Sequence, residues 1–227
     1  MIDFIVTLLE NAPDWLYRLR PALVMTLAVT AASFVAASVL AIGLEIARQS
    51  RFRVARAATR GLIDFVRCVP ILTILYLLYF GLPGIGLTLS SFVAGTAGLA
   101  LVYSTYIAEV LRGGVSAIPR GQREAAIAAG LTPLMTFRYI VLPQALRVMV
   151  APLLVTFISL LKDSSICALI AVNELMLTSK VIMSQTFMPL HVFVLVGAIY
   201  FAVAWPMSLL ARWIERHLAR QAGRVNP

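Results

Sequence analysis

"GQREAAIAAGLTPLMTFRYIVLPQAL", residues 121–146, interrupts a chain otherwise dominated by apolar runs. It opens on charge, runs through Ala and Ile at helix-favouring density, and reaches Gly130, a residue suited to the left-handed position that ends a helix. Thr132 then fits an N-cap and Pro133 the first position of a second short helix, with Pro143 marking entry to the next apolar run. Two short helices joined at a glycine would hold Ala125, Ala126, Ala129 and Leu134 away from a bilayer. Such a knob needs a groove on another protein.

The surrounding chain explains why a bilayer is at issue. Of its 227 residues 61% are apolar and 13% charged, and the mean hydropathy is +0.92, far more apolar than one soluble domain requires. A net charge of +9 raises nucleic acid as a partner, but that would need basic residues gathered on a solvated face beside stacking aromatics. Here they lie between apolar runs, so no nucleic-acid partner is expected. Cys68 and Cys167 sit in apolar surroundings without CxxC or His-rich spacing and read as packing residues, with no metal site or disulfide framework. Residues 1–21 lack a basic leader and a cleavage site. They read as an interfacial segment rather than a signal peptide, with Trp15 and Tyr17 at headgroup depth and Pro21 in the first turn of the first span.

A spanning helix needs about 20 apolar residues, and about five segments qualify: 22–47, 69–82 with "GLIDFVR" extending it at the interface, 92–111, 145–161 and 191–210. Arginines crowd the loop after the first segment (Arg48, Arg51, Arg53, Arg56, Arg60), the central stretch (Arg112, Arg120, Arg123, Arg138, Arg147) and the tail at 211–227 (Arg212, Arg216, Arg220, Arg224). The turn at 81–90 carries no charge. The positive-inside bias therefore places the arginine-rich stretches and the C-terminus in the cytoplasm and the N-terminus outside. No internal repeat is visible, so one all-α membrane domain over 1–227 accounts for the chain. An inverted repeat of the kind many secondary transporters carry is not legible.

Glu124-Ala125-Ala126, Gly130, Ile140 and Leu142-Pro143 stand in the spacing EAA-x3-G-x9-I-x-LP, which resembles the EAA signature of ABC-importer permeases. "TYIAEVLRGGVSAIPRGQREAA", "LPQALRVMVAPLL" and "SLLKDSSICALIAVNEL" resemble the polar amino acid uptake group among the five-helix type I importers. "RCVPIL" departs from that group, with Cys68 where a small residue is usual. The resemblance implies a type I importer permease fold in a bacterial inner membrane. It implies that the loop at 112–144, through Gly121, Glu124, Ala125, Ala126, Gly130, Ile140, Leu142 and Pro143, docks on a cytoplasmic ABC ATPase. It also implies a second permease chain, the same or similar, a periplasmic amino-acid-binding protein, and a polar amino acid or a relative such as an opine as substrate.

The chain itself lacks energy-converting chemistry. Its only lysines are Lys162 and Lys180; neither follows a glycine, so no GxxxxGK[ST] loop exists. HExxH and GxSxG motifs are absent too. No cofactor is expected on this chain; ATP and magnesium would be used by the partner ATPase.

Ionisable residues inside spans are costly and are functional candidates by default. Lys162 and Asp163 end the fourth segment, roughly 26 Å along it at about 1.5 Å per residue, and Ser164 and Ser165 follow. "SSICALIAVNELM" is too short to cross and reads as re-entrant short helices. Free N–H groups at their starts would suit a carboxylate, while Asp163 or Glu174 would meet an amino group; an internal Lys162–Asp163 pair competes evenly with that role. For Glu109 the favoured reading is an intrahelical pair with Arg112. Asp64 and Arg67 share that spacing, and Arg67 can snorkel to the interface, with a gate as its lesser role. The rival function is an ion- or proton-coupled secondary carrier that uses these carboxylates for coupling.

Overall fold

The computed structural model describes residues 2–222, and every regular element among them is helical. Helix α1 runs unbroken from Ile2 to Arg48 with Pro13 and Pro21 inside it. Residues 2–21 of the expected interfacial segment are therefore continuous with the helix that carries the first span, not a separate element. Trp15, expected to face headgroups, is 1% exposed: with Leu19 it packs inside the protein on Leu175, Ile182, Val192 and Val196. Each interior proline costs about 3 kcal/mol, and burying Trp15 and Leu19 offsets part of that at about 1.5–3 kcal/mol each.

Helix α2 (Arg53–Cys68) does not extend the second span. It meets α3 (Ile71–Tyr76), which continues through a π turn (Leu77–Gly81) and a 3-10 turn (Leu82–Ile85), at 102°. Pro70 lacks an N–H and drives Val69 into extended backbone (φ −88°, ψ 130°), so the helix cannot pass through. Instead α2 buries Thr59, Ile63 and Val66 on one face and leaves Arg53, Arg60 and Arg67 exposed. Four helical stretches are long and apolar enough to cross a membrane, 3–48, 91–116, 133–170 and 189–218, and the bent pair makes a fifth if counted as one span.

Helix α4 (Ser91–Ser116) is the central element, capped where Ser90 Oγ accepts from Val93 N–H at 3.3 Å. Its core residues, among them Leu99, Ala100 and Ile107, pack with Val29, Ala37 and Ala41 of α1. Glycine sets its distance from the neighbours: a Cβ on Gly98 would lie 2.6 Å from Leu75 Cδ2, and one on Gly114 2.3 Å from Met149 Cγ. Arg112 thus belongs to the last turns of α4 rather than to a loop starting at 112.

Short helix α5 (Arg120–Ala128) follows, then α6 (Pro133–Met135), a π turn (Thr136–Val141) and α7 (Leu142–Asp163). Pro143 stands in the first turn of α7, as expected, with no break before it: one helical run covers 133–163. The Leu142 N–H reaches back to the Phe137 carbonyl, and this wider turn accommodates a ring that would otherwise strike the Tyr139 carbonyl. A 3-10 stretch (Ser164–Ile170) and α8 (Leu175–Thr186) form the expected short helices, joined near Ala171 in left-handed backbone at φ 62°. The last helix, α9 (Pro189–Ala222), carries the tail on to residue 222; residues 223–227, with Arg224, lie outside the described residues.

Candidate functional site

A cavity of about 540 Å³ lies between the end of α2, the middle of α4 and the last turns of α7. From α7 it takes Thr156, Ser159, Lys162 and Asp163; from α4, Tyr103 and Tyr106; from α2, Arg67. Thr156, Ser159 and Asp163 recur at helical spacing, so α7 offers one polar stripe in an apolar helix. The Tyr103 hydroxyl donates to Asp163 Oδ2 at 2.7 Å. Arg67 turns away from Asp64: its Nη2 donates to the Thr105 carbonyl at 2.8 Å, its Nε to Thr105 Oγ1 at 3.4 Å, and its guanidinium lies 5.2 Å from the Tyr106 ring centroid. Asp64 and Arg67 form no ion pair among the described residues, and neither do Lys162 and Asp163. Lys162 is exposed to the cavity.

The other intramembrane candidates lie elsewhere. Ser164 is buried and donates to the Leu161 carbonyl at 2.8 Å, and Ser165 donates to the Lys162 carbonyl at 2.7 Å, so both hydroxyls serve the end of α7. Glu174 is fully buried and caps α8, accepting from Met176 and Leu177 N–H at 2.9 Å each and from the Tyr200 hydroxyl at 3.1 Å. The Leu175 N–H goes to Thr26 Oγ1 at 3.1 Å. The start of α8 is thereby satisfied internally, and the expectation that it offers free donors to a carboxylate is corrected. Glu109 pairs with Arg112 as expected and also accepts from Arg48 Nη1 of α1 at 2.7 Å. Spacing along one helix does not disclose that partner from another.

The alanine-rich stretch is one short helix, α5, joined at Gly130 (φ +84°) to the start of the run 133–163, so the second short helix expected after Thr132 is the first turns of that long helix. The Gly130 N–H bonds the Ile127 carbonyl at 2.9 Å and the Leu131 N–H the Ala126 carbonyl at 3.1 Å, a Schellman closure that needs left-handed backbone. Thr132 Oγ1 accepts from Met135 N–H at 3.3 Å, the expected cap. Gly121, Glu124, Ala125, Ala129 and Leu134 face outward; Ala126, expected in the same knob, is 6% exposed and faces inward. Arg123 Nη2 donates to the Val115 carbonyl of α4 at 2.8 Å, and Gln144 Nε2 to Gln122 Oε1 at 3.4 Å and the Ile140 carbonyl at 2.8 Å. These bonds tie α5 to both α4 and α7. Leu142 lines an apolar groove of about 660 Å³ with Ile46, Leu111 and Ile127. Cys167 is buried as a packing residue, its Sγ 3.1 Å from where a Cβ of Gly95 would lie, whereas Cys68 is exposed.

Sequence reasoning passed over Tyr103, Tyr106, Thr156 and Ser159, because attention to ionisable groups hid hydroxyls. The stripe through Thr156, Ser159 and Asp163 was the available signal; the approach of Tyr103 from another helix had none.

Residues 37–223 match the family described as binding-protein-dependent transport system inner membrane component. The probable glutamine ABC transporter permease GlnM of Bacillus subtilis is 32% identical over 195 residues, 86% of this chain and 90% of its own. The L-cystine transport system permease TcyB of the same organism is 32% identical over 200 residues, 88% of this chain and 86% of its own. Among solved structures, an amino acid ABC transporter crystallised with histidines superposes with a TM-score of 0.84 at 29% identity, covering 93% of this chain and 97% of that one. An inward-facing methionine ABC transporter shares the fold, with a TM-score of 0.67 at 21% identity over 87% of this chain and 96% of that one. The chain belongs to the binding-protein-dependent transport family and is a permease subunit of an ABC importer, a transport component whose ATPase is a separate chain.

Proposed function

We propose that this permease carries amino acids or closely related zwitterions across a bacterial inner membrane, and that the cavity at Arg67, Lys162 and Asp163 receives them. The observation that carries this reading is the convergence of both charge signs, with hydroxyls between them, in a space of about 540 Å³. Such sites hold small ligands through a few convergent polar groups on an otherwise apolar wall. An α-carboxylate meets Arg67 or Lys162, and an ammonium meets Asp163 Oδ1, which accepts no hydrogen bond among the described residues while Tyr103 donates to Oδ2. The relatives named for glutamine and L-cystine support the substrate class.

The proposed assembly has a second permease chain, a periplasmic amino-acid-binding protein that delivers substrate, and cytoplasmic ATPases that use ATP and magnesium. The segment from Gly121 through Glu124, Ala125 and Gly130 docks on the ATPase, and the ties from Arg123 to α4 and from Gln144 to Gln122 carry its movement to the helices that line the cavity. Ile140, Leu142 and Pro143 hold the geometry behind it.

Proteoliposomes containing the assembled complex and its binding protein test this. The expected result is accumulation of radiolabelled amino acid that requires ATP, survives a protonophore, and falls at least about tenfold in Asp163→Asn through loss of a charge-assisted contact. Uptake that collapses with the protonophore at constant ATP, or that is unchanged in Asp163→Asn, overturns it.

A further inference from the structure

The charges that line the cavity do not cancel. Arg67 spends its bonds on the neutral carbonyl and hydroxyl of Thr105, which leaves its positive charge uncompensated. Lys162, exposed to the same space, forms no ion pair among the described residues. Against them stands Asp163 alone, and the Tyr103 hydroxyl already occupies its Oδ2 at 2.7 Å. A hydrogen bond donated to a carboxylate satisfies part of its charge, so Tyr103 lessens what Asp163 offers to a second cation. Tyr103 is itself 4% exposed and held in the core, so this bond is part of the packed structure rather than a passing surface contact.

Resting on the reading that this cavity receives the substrate, we propose that it selects amino compounds with one ammonium and two carboxylates, acidic amino acids or N-carboxyalkyl amino acids, and that Tyr103 and Lys162 set this preference. One carboxylate meets Arg67, the other Lys162, and the ammonium the free oxygen of Asp163. A solute with two cationic groups would bring a second positive charge to a space that already holds an excess of one. Within a cavity of low dielectric, like charges are penalised more than in water. Tyr103 is a specificity-determining residue here because it rations the only anion in the lining; removing its hydroxyl while keeping its ring returns that anion in full.

The test is equilibrium binding of radiolabelled glutamate, glutamine and arginine to the detergent-purified permease–ATPase complex without binding protein, so that only the membrane site selects. Glutamate is expected to bind at least about tenfold more tightly than arginine, with glutamine between them. Lys162→Gln should weaken glutamate by about tenfold more than it weakens glutamine; Tyr103→Phe should strengthen arginine by about three- to tenfold. Arginine binding as tightly as glutamate, yet lost in Asp163→Asn, overturns the charge preference while the cavity remains the substrate site. Unchanged arginine affinity in Tyr103→Phe overturns the role of Tyr103. Complexes that bind none of the three and import none of them overturn the underlying reading as well.

Discussion

Asp163 and Glu174 are both carboxylates in an apolar chain, and their surroundings separate them. Asp163 keeps an oxygen toward a cavity, whereas Glu174 is fully buried and spends both oxygens on the first N–H groups of α8 and the Tyr200 hydroxyl. Glu174→Ala removes an N-cap, worth about 0.5–2 kcal/mol, and strands a hydroxyl, worth about 1–3 kcal/mol. The expected outcome is a loss of about 2–4 kcal/mol, read as a melting temperature lower by roughly 5–15 °C in detergent. Glu174→Gln, which still presents an oxygen, should lose less, and neither change should alter the order in which the complex prefers its substrates. An altered order with normal melting would place Glu174 on the substrate path after all. From sequence the two residues look alike, because each is an acid in an apolar run. Only the neighbours brought from α1, α4 and α9 distinguish cap from site.

At the scale of elements, the stretch at 121–146 is the most legible part of the chain. Thr132 and Gly130 stop and start its helices through bonds made within a few residues, so the local sequence contains all the partners needed. A Cβ on Gly130 would meet nothing within 4 Å, so bulk there is not resisted by this chain. What the position requires is left-handed backbone, which Asn tolerates and most residues adopt at a cost of about 1–2 kcal/mol. Gly130→Asn should keep the ATPase in a mild-detergent purification and keep uptake coupled. Gly130→Arg, which puts a long cation on the exposed face, should deplete the ATPase and uncouple hydrolysis from uptake; normal uptake in that variant would sink the docking role. The bend between α2 and α3 was less legible. Pro70 is the local signal for the break, but "GLIDFVR" is amphipathic enough to read as a continuation. The 102° turn follows because α2 finds a burial site for Thr59, Ile63 and Val66 across the bundle.

Across the whole molecule, α1 and α4 are joined at one end by charge. Arg48 bridges Glu109 at 2.7 Å and approaches Glu45 at 3.9 Å, while Arg112 holds the other oxygen of Glu109. These groups are partly exposed, so the network is worth less than a buried pair; Glu109→Gln should cost about 1–2 kcal/mol, measurable as a small drop in melting temperature. A double-mutant cycle with Arg48→Gln should return a coupling of about 0.5–1.5 kcal/mol, and strict additivity would show that the contact contributes nothing. The residues alone determined the bilayer environment, the approximate spans, the helix stop at Gly130 with the restart at Thr132, and the family, because hydropathy, turn chemistry and a spaced signature are properties of neighbours along the chain. Tertiary structure decided that residues 2–21 continue the helix of the first span, that Glu174 is a cap, and that Arg67, Tyr103 and Asp163 share one cavity. Those outcomes depend on which faces find burial and which side chains meet across helices, and contacts between residues such as Tyr103 and Asp163 are not encoded in any local pattern.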